Sequence, residues 1–132
     1  MKTIFLAEAE THVLDALRVL LEEQSEYRLI GVAQTAESLL AQVCKSAPEI
    51  LLLDWNLPAV HHQRLLRALR DCCPDTSLVV MSVKPEDAIA AREHGIDQFV
   101  AKQLPAEAFL DALQANLSAE TSRGKTVDQK SL

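Results

Sequence analysis

Short apolar runs alternate five times with helix-like apolar spacing along this chain, and no other feature restricts its fold as strongly. Between the runs, apolar residues recur every three or four positions, which is the spacing of a helix that buries one face. Strands separated by helices need crossover connections, and these produce parallel sheets with right-handed crossovers. The sequence therefore predicts an α/β domain with parallel strands at residues 4–7, 27–33, 50–53, 78–81 and 99–101.

Residues that favour helix ends lie between these apolar runs. Thr35 can cap the second helix, because its hydroxyl can accept a hydrogen bond from a free backbone N–H of the first turn. Pro85 lies near the start of the fourth helix, Glu86 and Asp87 fall in its first turn, and Gly95 lies just past its end. These positions support a helix in the connections between strands.

Length and composition exclude several classes of protein. A chain of 132 residues is expected to form one domain, and 48% hydrophobic with 24% charged residues is typical of soluble globular proteins. No apolar stretch is long enough to span a membrane and no export signal is evident, so we expect no membrane association and a cytoplasmic location. The net charge of -6 repels phosphate backbones, and the densest basic group is only Arg64, Arg67 and Arg70. Direct nucleic-acid binding is not expected.

The sequence also predicts the redox state of the cysteines and the disorder of the C-terminal residues. Cys44, Cys72 and Cys73 form neither an even disulfide set nor a pair of metal knuckles, so we expect them to be reduced and mostly packed. From about residue 119 the sequence is polar and offers too little apolar area to order itself. The sequence predicts a domain over residues 1–118 and a flexible polar tail over residues 119–132.

Asp54 is the polar residue that most needs an explanation, because it ends the most apolar run of the chain, residues 48–54. Such a run predicts a central strand covered on both faces, and ligands of these sheets gather at the carboxyl ends of the strands. A lone aspartate after a strand is more often a turn residue. However, Ser82 follows the fourth run and Lys102 follows the fifth, so all three are expected at the same edge of the sheet.

These residues together resemble the receiver domain of two-component response regulators, over about residues 2–118. Asp54 holds the position of the family's phosphoacceptor, Ser82 that of its switch hydroxyl, and Lys102 that of its invariant lysine. Glu8 holds the first of two adjacent acidic positions after the first strand, whereas Ala9 holds the second. The wider pattern is closest to receivers that precede a helix-turn-helix output domain.

The resemblance implies a flavodoxin-like, doubly wound (βα)5 fold with strand order 2-1-3-4-5. It also implies a signalling protein rather than an enzyme, phosphorylated on Asp54 by a histidine kinase or a phosphotransfer protein. In the family, Mg²⁺ binds beside the acceptor, which would involve Glu8, Asp54 and the backbone carbonyl of Asn56 here. Lys102 would neutralise a phosphoryl oxygen and Ser82 would offer its hydroxyl to another.

Two departures from the family pattern leave an alternative open. Ala9 removes a carboxylate that meets the metal in these domains, so we expect weakened Mg²⁺ binding. Residues 59–62 replace a glycine-containing turn. The alternative is a degenerate pseudo-receiver that acts through protein contacts without phosphorylation. In either case we expect at most a weak homodimer.

Other interpretations of single residues are weaker. Phosphatases of the haloacid dehalogenase type also combine Asp, Ser or Thr, and Lys at strand ends. Their nucleophile follows the first strand and has a second Asp two residues later, where this chain has Asn56. His61 and His62 are adjacent and have no third ligand near in sequence, so a metal site is not expected there. Phe99 lies where the family's switch aromatic lies, but plain packing is the simpler expectation.

Overall fold

Strands and helices alternate along the chain in the computed structural model, which describes residues 1–58 and 60–115. All five predicted strands are present: β1 (Lys2–Ala7), β2 (Tyr27–Ala33), β3 (Ile50–Asp54), β4 (Ser77–Ser82) and β5 (Gln98–Ala101). The helices are α1 (Thr11–Glu22), α2 (Ala36–Ser46), α3 (His62–Cys72), α4 (Asp87–Glu93) and α5, whose described part covers residues 106–115. The predicted tail at residues 119–132 and Ala59 lie outside the described residues.

The strands form one parallel sheet in the order β2-β1-β3-β4-β5, as the resemblance implied. Because the sheet is parallel, the carboxyl ends of the strands lie along one edge. Every residue of the central strand β3 is buried, which agrees with its unbroken apolar sequence. The fold therefore brings the residues that follow β1, β3, β4 and β5 to one place.

Each face of the sheet packs against its own layer of helices. Along β3, Leu51 and Leu53 belong to the core cluster that includes residues of α2, α3 and α4. Ile50 and Leu52 belong to the opposite cluster, which includes residues of α1 and α5. This alternation follows from the strand geometry, in which successive side chains point to opposite faces.

Most helix-end residues lie where the sequence predicts, although Glu86 is the N-cap of α4 and only Asp87 lies in its first turn. The Thr35 side chain caps α2 by accepting a hydrogen bond from the Ser38 backbone N–H at 3.1 Å. Gly95 follows the C-cap of α4 with a φ of 76°, in the left-handed region that glycine adopts without steric cost. Among the described residues, no helix has the length and apolar content needed to cross a membrane.

A disulfide between Cys44 and Cys72 corrects the expectation that all three cysteines are reduced. The bridge joins the last turns of α2 and α3, where the two Cα atoms lie 5.2 Å apart. Cys73 is a free, buried thiol, as expected. Counting cysteines could not find this pair, because it depends on α2 and α3 packing side by side and the two residues are 28 positions apart.

Reducing this bridge is expected to destabilise the domain by about 3–4 kcal/mol, because the cross-link limits the freedom of the unfolded chain over a loop of this length. Denaturant unfolding with and without a reductant measures the difference. A Cys44→Ser, Cys72→Ser double variant is the control, since a reductant should leave its stability unchanged. Equal stability of the parent chain under oxidising and reducing conditions would contradict the prediction.

Candidate functional site

Four predicted site residues lie together at the carboxyl edge of the sheet. Glu8 directly follows β1, Asp54 and Ser82 end β3 and β4, and Lys102 directly follows β5. Backbone hydrogen bonds extend the pairing past the strand ends: Glu8 N–H donates to Ala33 O at 2.9 Å, and Lys102 N–H donates to Ser82 O at 2.9 Å. The sheet register therefore fixes the backbone positions of these four residues relative to one another.

The Asp54 carboxylate is buried and is oriented by donors on both of its oxygens. Oδ2 accepts a hydrogen bond from the Ala9 backbone N–H at 3.1 Å, and Oδ1 accepts one from the Asn56 backbone N–H at 2.9 Å. Lys102 Nζ lies 3.4 Å from Oδ1. These three donors hold the carboxylate in one orientation.

Glu8 forms a close ion pair with Lys102 inside the site. The Glu8 side chain is 0% exposed and the Lys102 side chain 12%, and Nζ lies 2.7 Å from Glu8 Oε1. Burial raises the pKa of the Glu8 carboxyl above its ordinary value, and the nearby Asp54 charge adds to this rise. The hydrogen bonds from Lys102 and from the Glu10 backbone N–H oppose it. The Lys102 ammonium therefore forms ion pairs with two buried carboxylates, those of Glu8 and Asp54.

Ser82 is completely buried, and its hydroxyl belongs to a network that the sequence did not reveal. Its Oγ donates a hydrogen bond to Asp87 Oδ2 at 2.6 Å and accepts one from the Lys84 backbone N–H at 3.1 Å. Asn56 Nδ2 lies 3.5 Å from the same oxygen. The sequence identified Asp87 only as an acid in the first turn of α4, so its contact with Ser82 went unpredicted.

An aromatic cluster packs beside the chain just after Asp54. Trp55 is buried, and its ring stacks on His62 with the ring centroids 3.7 Å apart and the planes 7° from parallel. His62 Nε2 also lies 2.6 Å from the Trp55 backbone oxygen. His94 packs at the side of both rings. The adjacent histidines in the sequence gave no sign of this stack.

The remaining candidates have structural roles. The His61 side chain caps α3 by accepting a hydrogen bond from the Arg64 backbone N–H. Phe99 is partly buried against the core cluster that covers α2, α3 and α4. Within residues 1–58 and 60–115, no group of three or more His, Cys, Asp or Glu side chains is arranged to hold a metal ion. In this part of the chain, Glu8 and Asp54 thus form a pair of acids with no third metal-binding side chain beside them.

The doubly wound sheet thus places a buried carboxylate pair, a lysine and a hydroxyl together at its carboxyl edge. The chain belongs to the response regulator receiver domain family, whose model matches residues 4–114. The resemblance noted in the sequence is thereby confirmed, as is the assignment to two-component signal transduction. No comparison points to the pseudo-receiver alternative.

Known relatives that match this chain are longer than it is. The chain is 26% identical over 120 residues to the nitrate/nitrite response regulator protein NarL of Escherichia coli, covering 89% of this chain and 56% of that protein. It is 26% identical over 117 residues to a protein-glutamate methylesterase/protein-glutamine glutaminase of Myxococcus xanthus, covering 87% of this chain and 34% of that protein. The chain thus spans about half of the first relative and a third of the second.

Solved structures show the same fold. A two-component response regulator of the LuxR family from Aurantimonas superimposes with a TM-score of 0.79 at 21% identity, over 90% of this chain and 86% of the other. At this level of identity the similarity concerns the fold alone.

Proposed function

We propose that the chain receives a phosphoryl group on Asp54 and that this modification is its signalling event. The observation that carries the proposal is the placement of the Asp54 carboxylate. Asp54 is 3% exposed and lies at the carboxyl edge of the sheet, and both of its carboxylate oxygens accept hydrogen bonds. A carboxylate fixed in orientation beside an ammonium is suited to act as a nucleophile toward a phosphoryl group.

The proposed chemistry is the transfer of a phosphoryl group from a donor to the Asp54 carboxylate. A carboxylate oxygen of Asp54 attacks phosphorus, the bond from phosphorus to the donor breaks, and a mixed anhydride forms on the side chain. The donor atom leaves with the electron pair of the broken bond, as an imidazole nitrogen from phosphohistidine or as a carboxylate from an acyl phosphate. The proposal is a single modification rather than turnover, so the chain is not itself an enzyme.

Lys102 and Ser82 are proposed to assist at the phosphoryl oxygens. The Lys102 ammonium already lies 3.4 Å from Asp54 Oδ1, so it is placed to neutralise charge that arrives there. The Ser82 hydroxyl can donate one hydrogen bond to a phosphoryl oxygen once it is released from its present acceptor. Neither role requires a deep substrate pocket, because the donor is a second protein or a small acyl phosphate.

The oxygen atoms at the site are ligands of the type that Mg²⁺ binds, because this ion commonly uses one or two carboxylates together with phosphate oxygens. We propose Glu8, Asp54 and the backbone carbonyl of Asn56 as its ligands. Bound Mg²⁺ would balance the negative charge of the incoming phosphoryl group. The ion must compete with Lys102, whose ammonium lies 2.7 Å from Glu8 Oε1, and Ala9 offers no replacement carboxylate. Both features support weakened metal binding.

Ala9→Asp is expected to strengthen Mg²⁺ binding by about tenfold, because it adds an anionic oxygen beside Glu8 and Asp54. At saturation, this raises the stabilisation by Mg²⁺ by about 1.4 kcal/mol relative to the parent chain. Without metal the variant should be less stable at neutral pH, because the added charge raises the pKa of Glu8 further. A carboxyl whose folded pKa is raised destabilises the fold at pH values above its unfolded pKa.

Thermal melts of both proteins across an Mg²⁺ titration measure these effects. Ala9→Asn is the matched control, since it adds a side chain of the same shape without the charge, and it should respond to Mg²⁺ like the parent chain. An equal gain of stability in the parent and Ala9→Asp proteins would show that Ala9 does not limit metal binding.

Partners and location follow from the same proposal. As the upstream partner we propose a histidine kinase or a phosphotransfer protein, and we propose that the chain acts in the cytoplasm.

We also propose a weak homodimer in which two copies of the chain meet at one apolar groove. The groove has a volume of about 490 Å³ and is lined by residues of α1, Leu104 and Phe109, and Val19 beside it is 53% exposed. Sedimentation at micromolar concentration tests for this dimer, and a strict monomer with and without a phosphoryl mimic would rule it out.

The test of the proposed function is the intact mass of the chain after incubation with acetyl phosphate and Mg²⁺. The gain of one phosphoryl group per chain is the expected result. Absence of uptake at high donor and metal concentrations would instead favour the pseudo-receiver alternative.

A further inference from the structure

The Ser82 hydroxyl already donates its one hydrogen bond to Asp87. A serine hydroxyl has one O–H donor and two acceptor sites. Here the O–H donates to Asp87 Oδ2 at 2.6 Å, while the backbone N–H of Lys84 approaches the oxygen as a donor at 3.1 Å. The bond to a carboxylate is short and charge-assisted, which makes it stronger than a hydrogen bond between neutral groups.

A phosphoryl group on Asp54 would need the same proton. The hydroxyl cannot donate to a phosphoryl oxygen and to Asp87 at once, so the contact with Asp87 must break when Ser82 turns to the phosphoryl group. Asp87 is the first residue of α4, and exposed residues 83–86 connect it to Ser82. Breaking the contact therefore also removes this side-chain link between the end of β4 and the start of α4.

We propose that Asp87 is a positioning residue that restrains phosphorylation by holding the Ser82 hydroxyl in the unphosphorylated state. This inference rests on the proposed function, namely that Asp54 accepts the phosphoryl group. The restraint adds a free-energy cost to phosphorylation, because the hydrogen bond from Ser82 to Asp87 must break first. This hydrogen bond is the contact between β4 and α4 that changes on phosphorylation.

The test is the affinity of the full chain for beryllofluoride with Mg²⁺, a mimic of the phosphoryl group on Asp54. Fluorescence of Trp55, the one tryptophan of the sequence and the neighbour of Asp54, reports binding. Asp87→Ala frees the hydroxyl, and we expect it to bind beryllofluoride about tenfold more tightly than the parent chain, which is near the lower end for a hydrogen bond to a charged group. Glu86→Ala is the matched control: it removes an exposed carboxylate one residue away that makes no capping hydrogen bond, and its affinity should equal the parent's.

A double variant separates positioning from a simple effect of charge or helix stability. In a Ser82→Ala background the hydroxyl is absent, so Asp87→Ala should no longer change the affinity. Tightening that persists in this background would overturn the inference. If Asp87→Ala folds poorly, Asp87→Asn keeps an acceptor without the charge, and a two- to threefold tightening is expected from the weaker bond.

The outcomes distinguish this inference from the proposed function. A parent chain that binds beryllofluoride while Asp87→Ala binds it equally or more weakly would overturn the role of Asp87 and leave Asp54 as the acceptor. Binding by Asp87→Ala alone would support the restraint in its strongest form. Absence of binding in both proteins would overturn the inference and the proposed function together.

Discussion

Asp54→Asn is expected to gain no phosphoryl group from acetyl phosphate, whereas the parent chain gains one. The amide lacks the anionic oxygen that attacks phosphorus, so the loss should be complete rather than partial. Some stability should be lost as well. The backbone N–H groups of Ala9 and Asn56 donate to different oxygens of the carboxylate, and an amide offers only one oxygen. One partly buried donor is left without an acceptor, which costs about 1 kcal/mol, the lower end of the range for an unsatisfied donor.

Intact mass measures uptake and thermal melting measures the fold of the same samples. Asp97→Asn is the matched control, because the Asp97 carboxylate also accepts a backbone hydrogen bond, from Leu78 at 2.9 Å, but at the amino end of the strands. This variant should take up phosphoryl like the parent chain. Uptake by Asp54→Asn would exclude Asp54 as the acceptor.

The fold was predictable because each strand is marked by its own apolar run. The pattern predicted β2 over the residues that the structure shows, and it missed one or two end residues of each of the other four strands. Lys2 and Thr3 belong to β1 although they are polar, because they pair with Tyr27 and Arg28 of β2. Pairing between strands extends β1 beyond its apolar run, and no local pattern contains that information.

The shared edge of the site was also predictable, whereas its internal contacts were not. Parallel strands in a known order must bring Glu8, Asp54 and Lys102 to one edge, so topology alone places them together. Lys102 Nζ lies 2.7 Å from Glu8 Oε1 but 3.4 Å from Asp54 Oδ1, and this preference arises from side-chain packing, which the topology does not specify. The hydrogen bond from Ser82 to Asp87 likewise depends on how the short loop before α4 folds back.

Lys102→Met is expected to destabilise the domain by about 3–5 kcal/mol at neutral pH, because removing one partner of a buried ion pair leaves charge without compensation. The effect should be large here, since the one ammonium contacts both Glu8 and Asp54, whose side chains are 0% and 2% exposed. Denaturant unfolding measures the loss. Lys84→Met is the matched control: it removes an exposed ammonium from the same edge of the sheet, and its stability should stay within about 0.5 kcal/mol of the parent's.

The pH dependence of this loss identifies its cause. Burial already raises the pKa of Glu8 in the parent chain, and removing Lys102 should raise it further. A raised carboxyl pKa destabilises the folded state at pH values above the unfolded value of about 4.3, and this penalty disappears below it. The stability difference between the parent and Lys102→Met proteins should therefore narrow as the pH falls from 7 toward 4.5. A difference that stays constant over this range would assign the loss to the packing of the lysine side chain and not to its charge.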